Sequence, residues 1–168
     1  MIKIAIVSDS HKQTALTSEA IEFLLSQGAQ YLVHAGDLEI QENLELLKNS
    51  NIPYVSIFGN NDFTLLSHSQ KYNIYQEPHY FGIKKMKLKL MHIPNYLTPD
   101  SDVVIFGHTH IFHQEYKNGT LFINPGEVCG RDTHQTHCVL LEVTKTSYIL
   151  KHYYRNIQST KWEINTYE

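Results

Sequence analysis

The segment 103–110 constrains the fold most strongly, because it joins an apolar strand to a pair of histidines. It reads VVIFGHTH, with four branched or aromatic residues before a glycine, His108 and His110. A continuous apolar run of this length is typical of a strand buried on both faces. Side chains two residues apart in an extended chain point the same way, so both imidazoles are predicted to address one point or two neighbouring metal ions.

Three earlier apolar runs of strand length also end in polar side chains. They are residues 2–7 followed by Asp9 and His11, residues 31–35 followed by Asp37, and residues 54–58 followed by Asn60. Apolar spacing typical of helices separates these runs, at 16–27 and 40–47. In open α/β sheets, ligands bind at the carboxyl ends of strands, so we expect these polar side chains to converge.

The second half of the chain favours antiparallel pairing. Strand patterns occur at 79–82, 86–91, 114–116, 120–123, 137–143 and 148–154, with a good hairpin turn at 117–119. Within 86–91, Lys87 and Lys89 alternate with apolar residues, which predicts a solvated lysine face. His92 follows this strand directly, and residues 155–168 carry no pattern that assigns them a role.

Length and composition exclude several classes of protein. The 168 residues suit a single domain over 1–168, and no apolar run is long enough for a signal peptide or a membrane helix. Cys129 and Cys138 form no CxxC pair, which favours a reducing, cytoplasmic setting. A net charge of -3 with a pI near 6.4 argues against a surface that binds extended nucleic acid.

Seven oxygen and nitrogen donors follow strand ends: Asp9, His11, Asp37, Asn60, His92, His108 and His110. Each alone also fits a structural role, such as a helix cap, a turn or a strand-end histidine. Together they form a mixed set without thiolate that suits Mn²⁺, with Zn²⁺, Fe²⁺ or Ni²⁺ as alternatives, and no organic cofactor is indicated. Seven ligands are too many for one ion, whereas two ions sharing a carboxylate, about 3.5–4 Å apart, would use them all and suit phosphoryl chemistry.

In order, these residues form the motifs D-x-H, G-D, G-N-x-D, a lone histidine after a strand, and G-H-x-H, spread over residues 9–110. This series resembles the metallophosphoesterase, or calcineurin-like phosphoesterase, superfamily. The chain length and the turn at 123–126 look most like its small bacterial and archaeal phosphodiesterases. The resemblance implies a four-layer αββα sandwich with two mixed β-sheets.

The resemblance also implies roles for the residues. Asp9, His11 and His110 would hold the first metal ion and Asn60, His92 and His108 the second, while Asp37 would bridge them and hold a bridging hydroxide that attacks phosphorus. Asn60 would also donate its amide to phosphate, and Asp62 would accept a hydrogen bond that orients a ligand histidine. The expected activity is hydrolysis of a small phosphodiester. Nuclease or phosphomonoesterase activity at the same site is one alternative, and a non-catalytic scaffold like the retromer subunit with this fold is another.

Three positions depart from the pattern of the family. Asn61 stands where many members have a histidine that protonates the leaving group, so we expect a preference for leaving groups that depart without a proton. Ile93 follows His92 where glycine is usual, and residues 93–102 lack the helix that relatives insert, which predicts an open site. Glu127 replaces the serine usual after Asn-Pro-Gly and adds a negative charge.

Overall fold

The computed structural model describes residues 1–144 and 147–168. In these residues the chain forms two α-helices, α1 (Thr14–Ser26) and α2 (Gln41–Lys48), and a 3₁₀ helix at Phe63–His68. The strands are β1 (Ile2–Val7), β2 (Tyr31–His34), β3 (Tyr54–Ile57), β4 (Ile74–Tyr75), β5 (His79–Ile83), β6 (Met86–Leu90), β7 (Val103–Ile105), β8 (His113–Lys117), β9 (Thr120–Asn124), β10 (Gln135–Val143), β11 (Tyr148–Asn156) and β12 (Glu163–Tyr167).

The strands form two mixed sheets, as predicted. The first has the order β12-β11-β10-β1-β2-β3-β4, in which β1 to β4 are parallel and the strands from β12 to β1 are antiparallel. The second has the order β5-β6-β7-β9-β8, with a parallel centre between two antiparallel edges. The parallel strands of both sheets therefore supply the carboxyl ends at which the sequence places its polar residues.

The central strand β1 shows why its sequence is apolar throughout. Ile4 and Ile6 point into the core between the sheets, whereas Ala5 and Val7 point into the core beneath the helices. Successive side chains of a strand alternate between its faces, so a strand covered on both sides needs apolar residues at every position. The apolar run of β1 thus contributes to two layers of the core at once.

The outer face of the second sheet is covered by irregular chain. Helices α1 and α2 pack on the first sheet, whereas Met91, Val104, Phe106 and Phe122 form a small apolar cluster on the far side of the second. The connection 93–102 passes over this face and contains no helix. The predicted lack of a helix there is therefore confirmed.

One lysine in β6 corrects the prediction of a solvated lysine face. Lys89 is 1% exposed, and its Nζ donates to the Tyr96 carbonyl at 2.9 Å and the Thr98 hydroxyl at 2.7 Å, with Asp100 at 3.3 Å. Lys87 on the same face is exposed, as predicted. The ammonium group of Lys89 thus ties the 93–102 connection to the sheet.

The last residues form β12, an edge strand that the sequence did not predict. It pairs antiparallel with β11 along its whole length. Just before it, Trp162 stacks on Phe23 of α1, with ring centroids 4.7 Å apart, and lies under the Arg155 guanidinium.

None of the helices described here is long and apolar enough to span a lipid bilayer.

Candidate metal centre

The loops at the carboxyl ends of the parallel strands bring the seven predicted donors together at one end of the sandwich. Asp9 and His11 follow β1, Asp37 follows β2, and Asn60 follows β3. From the second sheet, His92 follows β6, while His108 and His110 follow β7. The loops of the two sheets therefore face each other, and the predicted convergence of these side chains is confirmed.

Asp9, His11 and His110 form the first donor cluster. The Nε2 atoms of the two histidines are 3.3 Å apart, and Asp9 Oδ1 lies 3.4 Å from His110 Nε2. All three side chains are nearly inaccessible to solvent. The second carboxylate oxygen of Asp9 accepts the Ser8 hydroxyl at 2.6 Å, which fixes the orientation of the carboxylate.

Asn60, His92 and His108 form the second donor cluster. Asn60 Oδ1 lies 3.0 Å from both His92 Nε2 and His108 Nδ1. His92 is fully buried, whereas Asn60 and His108 are exposed. This cluster therefore opens to solvent, and the first is closed.

Asp37 stands between the two clusters. Its Oδ2 atom is 3.8 Å from His11 Nε2 and 3.3 Å from His92 Nε2. Burial alone would raise the pKa of this carboxyl, but hydrogen bonds and charge attraction from His92, together with hydrogen bonds from Asn61, hold the pKa well below its usual range. Asp37 is therefore an anion within reach of both clusters.

The hydrogen bonds behind three histidines direct their other ring nitrogens into the site. His11 Nδ1 lies 2.7 Å from the Glu39 carboxylate, and His110 Nδ1 lies 2.6 Å from the Glu127 carboxylate. His92 Nδ1 lies 2.8 Å from the Ala35 carbonyl. Because these partners accept hydrogen bonds, a neutral ring donates Nδ1–H to them and presents a lone pair at Nε2. Each of the three Nε2 atoms then faces an oxygen or another ring nitrogen, so a proton or a metal cation is needed between them. The donor set thus fits divalent metal ions.

At His92 and His110, a proton meets this need when no metal is bound. Burial alone lowers the pKa of His110, but its hydrogen bonds with Asp9, Cys129 and Glu127 outweigh that effect and raise the pKa to about 12. Burial also lowers the pKa of His92, and Asp37 outweighs it, so that the pKa lies above its usual value. A metal cation would replace these protons, because it binds the neutral ring.

The backbone of the site is strained. Five of the candidate ligands have a left-handed φ: Asp9 at 53°, His11 at 47°, Asp37 at 58°, His108 at 69° and His110 at 63°. This region is disfavoured for residues with a Cβ atom and is concentrated at functional sites. The prediction that His108 and His110 lie on extended chain is therefore wrong, since β7 ends at Ile105 and both histidines turn into the left-handed region.

Two glycines of the motifs are required by close packing. A Cβ atom at Gly107 would lie 2.1 Å from Ser8 Oγ and 2.8 Å from Asp9 Oδ2. One at Gly59 would lie 2.2 Å from Asp37 Oδ1. Any larger residue at either position would displace a candidate ligand.

Asn61 and Asp62 support the site in ways that the sequence did not reveal. Asn61 donates its backbone N–H to Asp37 Oδ1 at 2.9 Å and its side-chain amide to Oδ2 at 2.8 Å. Asp62 does not orient a ligand histidine as predicted. Its oxygens accept the backbone N–H groups of Glu39 at 2.6 Å and Gly59 at 2.7 Å, which ties together the loops after β2 and β3.

Two acids stand behind the first donor cluster, Glu39 and Glu127, and the sequence did not reveal them as partners of the histidine rings. Glu39 occupies no motif position, and Glu127 stood out only as a replacement for serine after Asn-Pro-Gly. Their contacts with His11 and His110 join residues 28 and 17 positions apart. The sulfur of Cys129 also lies within 4.8 Å of ring nitrogens of both histidines, although the set was predicted to lack sulfur. Burial raises the pKa of this thiol, and its S–H donates to Glu127 at 3.1 Å.

Comparison with known proteins agrees with this geometry. The calcineurin-like phosphoesterase superfamily domain matches residues 2–146. A phosphodiesterase of Methanocaldococcus jannaschii is 28% identical over 160 residues, which cover 88% of this chain and 96% of that protein. Among solved structures, an archaeal phosphodiesterase superposes with a TM-score of 0.75 at 25% identity, over 98% of this chain and 100% of the other.

A second type of protein shares the fold. A single mutant of Vps29 from Entamoeba histolytica superposes with a TM-score of 0.77, over 99% of this chain and 100% of that one, at 20% identity. At this identity the likeness concerns the fold alone. The domain match, the archaeal relative and the convergent donors together establish that this chain belongs to the calcineurin-like phosphoesterase superfamily.

Proposed function

We propose that this chain is a metal-dependent phosphodiesterase that uses two divalent ions. The observation that carries the proposal is the position of Asp37, whose Oδ2 atom is within 3.8 Å of one donor cluster and 3.3 Å of the other. A carboxylate placed in this way can bind two cations at once. The likeness to a phosphodiesterase of Methanocaldococcus jannaschii supports the choice of reaction.

The first donor cluster would hold one ion, the second donor cluster the other, and Asp37 would bridge them. Mn²⁺ is our first choice, because imidazole, carboxylate and amide donors suit it, with Zn²⁺, Fe²⁺ and Ni²⁺ as alternatives. When bound, such a pair of ions activates the attacking water and offsets the charge of the phosphate oxygens.

The side chains of the site bind and orient the substrate. Asn60 directs its amide oxygen at His92 and His108, which leaves its NH₂ group for a phosphate oxygen. Asn61 fixes both oxygens of Asp37, so this carboxylate keeps its orientation during the reaction. Pre-organised groups of this kind stabilise the transition state without having to rearrange.

A cavity of about 210 Å³ beside Asn60 has room for an organic group of the substrate. Phe63 and Leu66 line it and are 74% and 50% exposed, and Phe58 and Ile93 complete the apolar part of the wall. The connection 93–102 lies over the second sheet, where Lys89 holds Tyr96 and Thr98. We therefore infer that the site accepts small diesters with bulky apolar substituents.

Two other functions are alternatives to phosphodiesterase activity, one catalytic and one non-catalytic. Nuclease or phosphomonoesterase activity would use the same donors on another ester. A scaffold function has only the fold shared with Vps29 behind it, whereas the seven donors of this chain converge as a metal site requires. We also propose that the protein acts on small molecules rather than on extended nucleic acid, given its net charge of -3.

The first experiment compares a bis-nitrophenyl phosphodiester with the matching monoester, using chelator-treated protein with and without Mn²⁺. We expect Mn²⁺-dependent cleavage that favours the diester. Asp37→Asn should lower the rate by more than about a hundredfold, since even residues behind metal ligands account for 10- to 100-fold effects. Glu115→Gln, an exposed acid on β8, serves as the control that keeps full activity.

Preference for the monoester would favour phosphatase activity. A folded protein that binds Mn²⁺, Zn²⁺ and Fe²⁺ yet cleaves neither ester would contradict the proposal and favour a scaffold.

A further inference from the structure

The segment 127–133 folds around the carboxylate of Glu127. This side chain is 0% exposed, and each of its oxygens accepts three hydrogen bonds. Oε1 accepts hydrogen bonds from the backbone N–H groups of Asp132 at 2.9 Å and Thr133 at 2.6 Å, and from the Thr133 hydroxyl at 2.8 Å. Oε2 accepts hydrogen bonds from His110 Nδ1 at 2.6 Å, the Cys129 thiol at 3.1 Å and the backbone N–H of Arg131 at 3.1 Å. One carboxylate therefore fixes both a candidate metal ligand and the turn that follows it.

All six hydrogen bonds of Glu127 come from N–H, O–H or S–H donors, which is the pattern that an ionised carboxylate accepts. A buried carboxylate is tolerated only when it is fully paired, as this one is. The turn is thus organised by an anion that contacts the metal site from behind.

The turn places Arg131 at the edge of the first donor cluster. Its Nη2 atom lies 3.2 Å from His110 Nε2, the ring nitrogen that faces into the site. The guanidinium side chain is 57% exposed, and its Nε atom contacts Asp132 at 3.3 Å. Arg131 is held through its backbone N–H, and its guanidinium, although in contact with His110 and Asp132, is more than half exposed and can reach a ligand bound between the clusters.

We propose that Arg131 binds a non-bridging oxygen of the substrate phosphate. Glu127 would be a positioning residue, because it holds the backbone of Arg131 for this contact and orients the ring of His110 towards the first metal ion. The inference rests on the proposed function and adds a phosphate-binding residue to it. A guanidinium suits the role because its planar fork matches two phosphate oxygens and its charge persists at all working pH values.

The test measures binding of inorganic phosphate to the Mn²⁺-loaded protein by calorimetry, beside KM and kcat for the diester. Arg131→Ala should weaken phosphate binding about 10- to 100-fold, as expected for a charged hydrogen bond, and should raise KM more than it lowers kcat. Arg131→Lys, which keeps the charge but loses the fork, should recover only part of the affinity. Lys12→Ala is the matched control, because Lys12 is an exposed cation beside the same site, 4.0 Å from Glu39.

Glu127→Gln tests the positioning role through two further measurements. Mn²⁺ affinity, followed by electron paramagnetic resonance, should fall about 10- to 100-fold, as for other residues behind metal ligands. Adding Arg131→Ala to Glu127→Gln should then weaken phosphate binding little further, because the arginine is already displaced. Circular dichroism checks that Glu127→Gln folds. If it does not, Arg131→Ala and Arg131→Lys, which change an exposed side chain, decide the proposal.

Phosphate binding that Arg131→Ala leaves unchanged, or that Lys12→Ala weakens equally, would overturn the proposal. If Arg131→Ala and Glu127→Gln have fully additive effects on phosphate affinity, the positioning role of Glu127 is refuted. A wild-type protein that binds phosphate through Arg131 but cleaves no ester would refute the proposed activity and leave the phosphate site standing.

Discussion

At the scale of single residues, the site is built from strained backbone and compensated by hydrogen bonds. Each left-handed residue with a Cβ atom costs roughly 1–3 kcal/mol, and five candidate ligands adopt this conformation. The cost is offset locally: the Asp9 N–H donates to the Gly36 carbonyl at 3.0 Å and the His11 N–H to the Asp37 carbonyl at 2.8 Å. The loops after β1 and β2 therefore hold each other in place.

Asn61 leads to a prediction about the leaving group. Its side-chain amide is bound to Asp37, and an amide cannot release a proton at neutral pH, so Asn61 cannot act as a general acid. General acid catalysis contributes about 10²–10⁴-fold, so we expect an alkyl leaving group to depart at least about a hundredfold more slowly than nitrophenolate. The measurement is kcat/KM for a series of diesters that share one retained group. Similar rates across the series would mean that another group supplies the proton.

The sequence predicted the seven donors but not the residues behind them. The donors could be located because each motif follows an apolar run, and each such run is visible in the local sequence without knowledge of the fold. The roles of Glu39 and Glu127 depend on contacts between separate loops, and no local pattern marks them. Asp62 shows the same limit, since its position after β3 did not reveal that it binds the loop after β2.

At the scale of secondary structure elements, spacing predicted most strands and both helices. Helix α1 ends at Ser26, just before Gly28, whose φ of +87° suits the predicted glycine stop. The short β4 and the edge strand β12 escaped prediction. In β12 four of five residues are exposed, so no alternation of apolar and polar residues could mark it.

Lys89 in β6 gives a prediction at this scale. Lys89→Met keeps the volume of the side chain but removes the cation that holds the 93–102 connection. We expect the free energy of unfolding to fall by about 2 kcal/mol, within the range for hydrogen bonds to a charged group. Lys87→Met on the same face, whose side chain is exposed, should change stability by less than about 0.5 kcal/mol. Urea denaturation measures both, and equal effects would show that Lys89 contributes no more than a surface lysine.

At the scale of the whole molecule, a buried neutral histidine of the first sheet packs against the residue that precedes β8 of the second sheet. His152 of β11 stacks on Phe112, with ring centroids 3.7 Å apart, and its Nε2 lies 2.9 Å from His137 Nδ1. Burial lowers the pKa of His152 to about 3, and the Nδ1 atom of its buried ring has no hydrogen-bond partner among the described residues. This part of the core therefore tolerates the neutral ring and disfavours the charged one.

Stability is consequently expected to depend on pH. The unfolded chain takes up a proton at His152 near pH 6.5 and the folded chain only near pH 3, so the stabilisation is complete above pH 6.5 and is lost as pH falls from there towards 3. Between pH 7 and pH 5 this one residue should account for about 2 kcal/mol of lost stability.

His152→Phe keeps the stacked ring and cannot titrate, so it should reduce the pH-dependent loss by that amount. Urea unfolding of chelator-treated protein at pH 7 and pH 5 measures it, and His113→Gln, at an exposed position, is the control. If His152→Phe loses as much stability between pH 7 and pH 5 as the wild type, groups other than His152 cause the pH dependence.

The pairing of β12 with β11 has a consequence for solubility. Strand β11 is nine residues long, and without β12 the side that faces away from β10 would offer a row of unpaired backbone groups to any other chain. Strand β12 covers five of its residues and presents in turn a short edge whose exposed residues are mostly polar, with Glu163, Asn165 and Thr166 beside Ile164. The molecule thus ends its larger sheet in a strand that is a poor template for aggregation, which protects the chain from joining others edge to edge.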